Sequence, residues 1–105
     1  MVISPLFNAC SSRNVNIAKC LIEYGADINK ENFKGVTPLF IACNNGNLNM
    51  IKILIELGAD IGKENEEGET PLFFVSGNDY ENIVKYLIKL GTDVNKENKY
   101  GETPI

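Results

Sequence analysis

A chain of 105 residues with 44% hydrophobic and 23% charged side chains has apolar content enough for one folded domain and too much for global disorder. Its 14 Asp and Glu against 10 Lys and Arg give a formal charge of -4, which opposes a phosphate backbone or an anionic membrane surface, so neither nucleic acid nor membrane is an expected partner. Histidine is absent, and with it go the commonest general base, the commonest zinc ligand and every His-dependent triad.

No apolar run approaches the roughly 20 residues that span a bilayer, and Met1-Val2-Ile3-Ser4-Pro5 lacks the charged and apolar regions of a signal peptide. The three cysteines, Cys10, Cys20 and Cys43, are odd in number and show no CxxC spacing. They read as reduced, buried small residues of an intracellular protein, cytoplasmic or nuclear.

Ser4-Pro5 stands near the start of the chain, and the same site returns as Thr37-Pro38, Thr70-Pro71 and Thr103-Pro104, each 33 residues after the last. Gly25, Gly58 and Gly91 keep that period, as do Asp27, Asp60 and Asp93 and three copies of Lys-Glu-Asn ending at Asn32, Asn65 and Asn98. So many registered positions mark an internal repeat, with units at 4–36, 37–69 and 70–102 and a stub at 103–105.

The middle unit gives the physical reading. Thr37 is placed to accept a backbone N–H of the first helical turn, and Pro38 sits where its missing N–H is harmless. Leu39, Ala42 and Cys43 give a short helix a narrow apolar face. Gly46 supplies a positive φ and Asn47 caps a second helix, whose stripe is Met50, Ile51, Leu54, Ile55 and Leu57. Gly58 ends that helix, and a polar, turn-rich stretch follows. Helices this short cannot bury their apolar faces alone, so the units must stack.

The run Gly35-Val36-Thr37-Pro38-Leu39-Phe40-Ile41-Ala42-Cys43, with Gly46-Asn47-Leu48 and Leu54-Ile55-Glu56-Leu57-Gly58-Ala59-Asp60-Ile61, resembles the ankyrin repeat. The resemblance implies an all-α solenoid of antiparallel helix pairs joined by projecting β-hairpin loops. Ankyrin repeats usually carry histidine after Thr-Pro-Leu, where it ties neighbouring loops; here that position holds Phe7, Phe40 and Phe73, which predicts an apolar aromatic ladder. The inter-helix Gly46 becomes Arg13 in the first unit and Asp79 in the third, and the first unit is expected to be loosest there. Gly77 is expected to weaken the end of the third unit's first helix by roughly 1 kcal/mol. Neither end of the chain carries a polar cap, which reads as a piece of a longer array, either a monomer or weakly self-associating end to end.

No catalytic constellation emerges. Glu64, Glu66, Glu67 and Glu69 cluster on a projecting loop that leaves them in water, without the spacing of a calcium loop. Cys10 and Cys43 share one repeat position, packed between helices, with no base nearby. No cofactor and no metal are expected, and the chain reads as a non-enzyme.

By resemblance, partners bind the concave face, formed by the hairpin tips and the exposed side of each first helix. Carried over residue by residue, this selects Phe33, Lys34 and Val36, then Glu66, Glu67 and Glu69, then Lys99, Tyr100 and Glu102 from the tips. The helices contribute Ser11 and Ser12, Asn44 and Asn45, and Gly77 and Asn78. Phe33 and Tyr100 flanking an acidic middle tip fit another protein that presents a basic patch between apolar pockets. A structural spacer within a longer array and an engineered scaffold are the alternative readings. Free cysteines, Arg13 and Asp79 speak against design, while the near-identical Lys-Glu-Asn loops speak mildly for it.

Overall fold

The computed structural model describes residues 4–105. Three helical pairs follow one another: α1 (Pro5–Ser11) with α2 (Val15–Glu23), α3 (Pro38–Asn45) with α4 (Leu48–Glu56), and a 3₁₀ turn (Pro71–Phe74) with α5 (Tyr80–Lys89). Each first element begins at a proline, where φ is preset for a helix and no donor is lost. Asn14 and Asn47 accept the Ile17 and Met50 N–H groups through their side chains, at 3.1 and 3.3 Å, and so cap α2 and α4. Ser4 caps α1 through Phe7 N–H at 3.5 Å.

The core runs along the stack. Leu6, Leu39 and Leu72 recur at one repeat position and are all buried, and Met50, Ile51 and Leu54 of α4 and Ile83 and Leu87 of α5 close over them. α1 packs on α3, α3 on the 3₁₀ turn and α2 on α4, so each pair buries its face against the next. Leu57, counted with the stripe from sequence, lies past the end of α4 and is exposed.

Two expectations of the sequence give way at the threonines and phenylalanines. Thr37 makes no side-chain cap; its hydroxyl and that of Thr70 are buried without a partner. The residue that follows Thr-Pro-Leu is phenylalanine, which has no polar atom to offer them. Nor do Phe7, Phe40 and Phe73 form a ladder. Phe40 is fully buried and meets Phe74 edge-on, with centroids 5.2 Å apart and planes at 86°, while Phe7 and Phe73 are half-buried.

The third pair departs furthest. Its first element stops after one 3₁₀ turn, with Val75 extended at φ -62° and ψ 128°. Val75 and Phe74 stand where Ala42 and Ile41 stand in α3; valine is too bulky for the tight approach that alanine permits, and Val-Ser-Gly is a poor helix continuation. Gly77 is therefore no helix terminus at all. It takes φ 97° itself, while Asp79 stays at φ -95°, so the left-handed turn expected at Asp79 arrives two residues early. The shortened segment drops onto Gly46 (φ 66°), where a Cβ would lie 2.2 Å from the Ser76 carbonyl oxygen. In the first pair Arg13 does take the left-handed conformation, at φ 61°, and its guanidinium donates to the Asn45 carbonyl at 2.6 Å. The side chain that strains this turn also fastens it to α3.

Candidate functional site

Three hairpin-shaped loops project from the stack, each closed by one backbone pair and without a β-strand among the described residues. One asparagine organises each. Asn32, Asn65 and Asn98 donate their N–H groups to the carbonyls of Val36, Glu69 and Glu102, all at 2.9 Å. Their side-chain oxygens each accept two further backbone N–H groups, from the residues two and four positions on. A short amide that can satisfy its own turn is what makes asparagine suited to this position.

The loops are then tied to one another. Glu66 N–H donates to the Lys34 carbonyl and Lys99 N–H to the Glu67 carbonyl, both at 2.9 Å, which sets the three tips side by side. Lys63 pairs with Glu31 at 2.6 Å and Lys96 with Glu64 at 3.4 Å, so the lysines of the second and third Lys-Glu-Asn tripeptides each meet the glutamate one unit back. These asparagines and this ladder were missed as functional parts from sequence, although their signal, a tripeptide kept at a 33-residue period, was plain.

Against that framework the expected binding residues divide. Phe33 and Tyr100 stand out at 85% and 66% exposure, with Lys34 Nζ 5.7 Å and Lys99 Nζ 5.3 Å from the centres of their own neighbours' rings. Glu66, Asn44 and Asn78 are exposed, and the carboxylate of Glu66 has no partner among the described residues. The others already have work within the fold. Val36 is half-buried and serves the Asn32 turn. Asn45 donates to the carbonyls of Cys10 and Ser11 at 3.1 and 3.3 Å. Glu69 accepts from Asn65 and Asn98 at 3.1 and 3.5 Å, and Glu102 accepts from Asn98 at 2.9 Å.

Glu67 pairs with Lys99 at 3.2 Å. The Tyr100 hydroxyl, and after it the Lys99 ammonium, hold its carboxyl below the usual carboxylate value. Glu67 in turn raises both Lys99 and Tyr100. Of the helix residues, Ser12 bonds the Ala9 carbonyl, while Ser11 and Gly77 are exposed. Among the described residues no group of three Cys, Asp or Glu is placed to hold a metal ion, and no helix is long and apolar enough to cross a membrane. Cys10 and Cys43 are buried, whereas Cys20, expected to be buried, is exposed; it lies on the outer side of α2, away from the apolar stripe that packs inward.

Stacked helix pairs at a 33-residue period, joined by side-by-side projecting loops, find their counterpart in the family model described as ankyrin repeats in three copies, which matches residues 3–65 and 57–105. The chain belongs to the ankyrin-repeat family. Members are generally protein–protein interaction modules and typically non-catalytic. No curated protein matches the chain.

Proposed function

We propose that this ankyrin-repeat chain is a non-catalytic interaction module that engages another protein through the row of loop tips and the adjoining face of the first helices. The observation that carries this reading is the exposure of Phe33 at 85% and Tyr100 at 66% on tips whose backbones are rigidly bonded into one row. Large aromatic side chains held in water by an ordered backbone gain most when a partner pocket removes them from it, and little entropy is left to lose.

Charge narrows the partner. Glu67, Glu69 and Glu102 are engaged within the loops, which leaves Glu66 as the carboxylate free to face outward. The reading is therefore a partner with two apolar pockets flanking a basic side chain that meets Glu66. Comparing proteins retained from lysate by the wild-type chain and by Phe33→Ala/Tyr100→Ala tests it. A protein retained by the first and lost by the second, with unchanged circular dichroism, supports the module; weakening by Glu66→Lys at low salt supports the charge assignment. Retention of the same proteins by both chains would overturn the reading in favour of a spacer.

A further inference from the structure

The joints between successive helical pairs are not alike. At the first, Asn29 reaches across: its Nδ2 donates to the Gly58 carbonyl at 3.2 Å, and its Oδ1 accepts the Asp60 N–H at 2.9 Å. One carboxamide thus fills both valences of the neighbouring turn. One unit later the same three positions are Gly62, Gly91 and Asp93. Gly62 has no side chain to send, and among the described residues the Gly91 carbonyl and the Asp93 N–H have no protein partner. A cleft of about 310 Å³ opens at this place, with Gly62, Gly91 and Asp93 in its lining.

The cleft is more than a missing side chain. Thr92 replaces Ala59 of the first joint and adds a hydroxyl. Its oxygen is buried and unpartnered, as is that of Thr70, whose counterpart Thr37 is left unpartnered in the same way at the first joint, and both Thr92 and Thr70 line the cleft. Ile61 and Leu90 supply apolar walls. The volume lies at the lower end of the roughly 300–1,000 Å³ typical of small-ligand sites, with few polar groups among apolar ones. Gly91 and Asp93 are exposed, and the empty bonds of their carbonyl and N–H favour a ligand that fills both at once over one that only fills space.

We propose that the cleft between the second and third helical pairs receives a side-chain carboxamide, that of an asparagine or glutamine presented by a partner protein. Its NH₂ donates to the Gly91 carbonyl and its oxygen accepts the Asp93 N–H, the arrangement that Asn29 makes within the chain one unit earlier. Lys96 also lines the cleft, but its ammonium is paired with Glu64 at 3.4 Å; a carboxylate in the same place lacks the donor that the Gly91 carbonyl requires, so the site discriminates Asn from Asp. None of the tip residues assigned to the concave face lines this cleft, so the proposal stands or falls separately from the function proposed above.

The test follows backbone amide signals by NMR while N-acetyl-asparagine N-methylamide is added, with the aspartate analogue as control. Saturable shifts are expected at Thr92 and Asp93 with the first compound and not with the second. Gly62→Asn should abolish them, because the chain then supplies its own carboxamide; it should also slow hydrogen exchange at Asp93 and raise Tm by roughly 4 °C or more. Gly62 has an ordinary φ, and its nearest neighbour beyond the adjacent residues would be 3.8 Å from an added Cβ, so this variant is expected to fold. Asn29→Gly should create a second responsive position at Ala59 and Asp60. Equal shifts with the aspartate analogue, shifts that persist in Gly62→Asn, or no new response in Asn29→Gly would each overturn the proposal.

Discussion

Burial separates three chemically identical thiols. Cys20 is exposed, while desolvation pushes Cys10 up to about 11 and Cys43 up to about 12 from an ordinary 9.0. At pH 8 a thiol reagent should therefore modify one cysteine quickly and the other two only on unfolding, as mass spectrometry of the labelled chain will count. The same shifts make stability depend on alkaline pH. Above pH 9 the unfolded thiols lose protons that the folded ones keep, so unfolding releases protons. The stability present below pH 9 then falls as pH rises towards 11–12, by up to about 1.4 kcal/mol per pH unit for each thiol. Urea titrations at pH 8.5 and 10.5 should show a shallower decline for Cys43→Ala than for wild type, since the variant lacks that thiol's contribution. Gly46 is the other residue on which much depends. An added methyl would meet the Ser76 carbonyl at 2.2 Å in a backbone conformation that L-residues avoid, so Gly46→Ala should lose at least about 2 kcal/mol in the same titration.

Among the elements, the loops owe their order to asparagine more than to the surface ion pairs. Exposed pairs such as Lys63–Glu31 contribute about 0–1 kcal/mol each, whereas a buried amide with all its valences filled is expensive to remove. Asn98 is 6% exposed and bonds two backbone N–H groups and two carboxylates. Asn32 bonds the same two kinds of backbone group but has valine where Asn98 has Glu102. Asn98→Ala should accordingly lose about 2 kcal/mol and Asn32→Ala roughly half of that by chemical denaturation. The periodic tripeptide made these positions visible in the sequence, but only part of their role, because a bond such as that from Asn98 to Glu69, 29 residues away, leaves no local pattern. The helices were legible where spacing and caps agreed, as in α3 and α4. They were not legible in the third pair, where Thr70-Pro71 announces a helix that Val75 cuts short. Of the expected binding residues, exposure at Phe33, Tyr100 and Glu66 followed from their place at the tips. The engagement of Asn45 depends on neighbours in the preceding unit, and that of Glu67 and Glu69 partly on the next, which no single unit displays.

At the scale of the molecule, the stack measures 37 × 29 × 21 Å with a radius of gyration of 12.9 Å, close to the roughly 13 Å of a globular domain of this length. Three pairs are thus too few to make an elongated rod, yet the main contacts between pairs still join neighbours, and stability is distributed accordingly. The middle pair has an interface on each side, and α3 and α4 hold most of the fully buried side chains. The third pair is joined more weakly in several independent ways. Its first element is a single 3₁₀ turn, Asp79 gives α5 no side-chain cap, and Gly62 sends no carboxamide across the joint. Native-state hydrogen exchange should therefore be slowest at 40–43 and 51–55, and faster along 83–89 even though Ile83 and Leu87 are as fully buried as Leu54. Gly62→Asn should slow exchange in α5 without altering α2, because a bond added at one joint of a one-dimensional array strengthens the pairs on either side of it before it reaches the far end. Equal protection along α4 and α5 would instead mean that the three pairs open as a single cooperative unit, with the differences between joints too small to divide them.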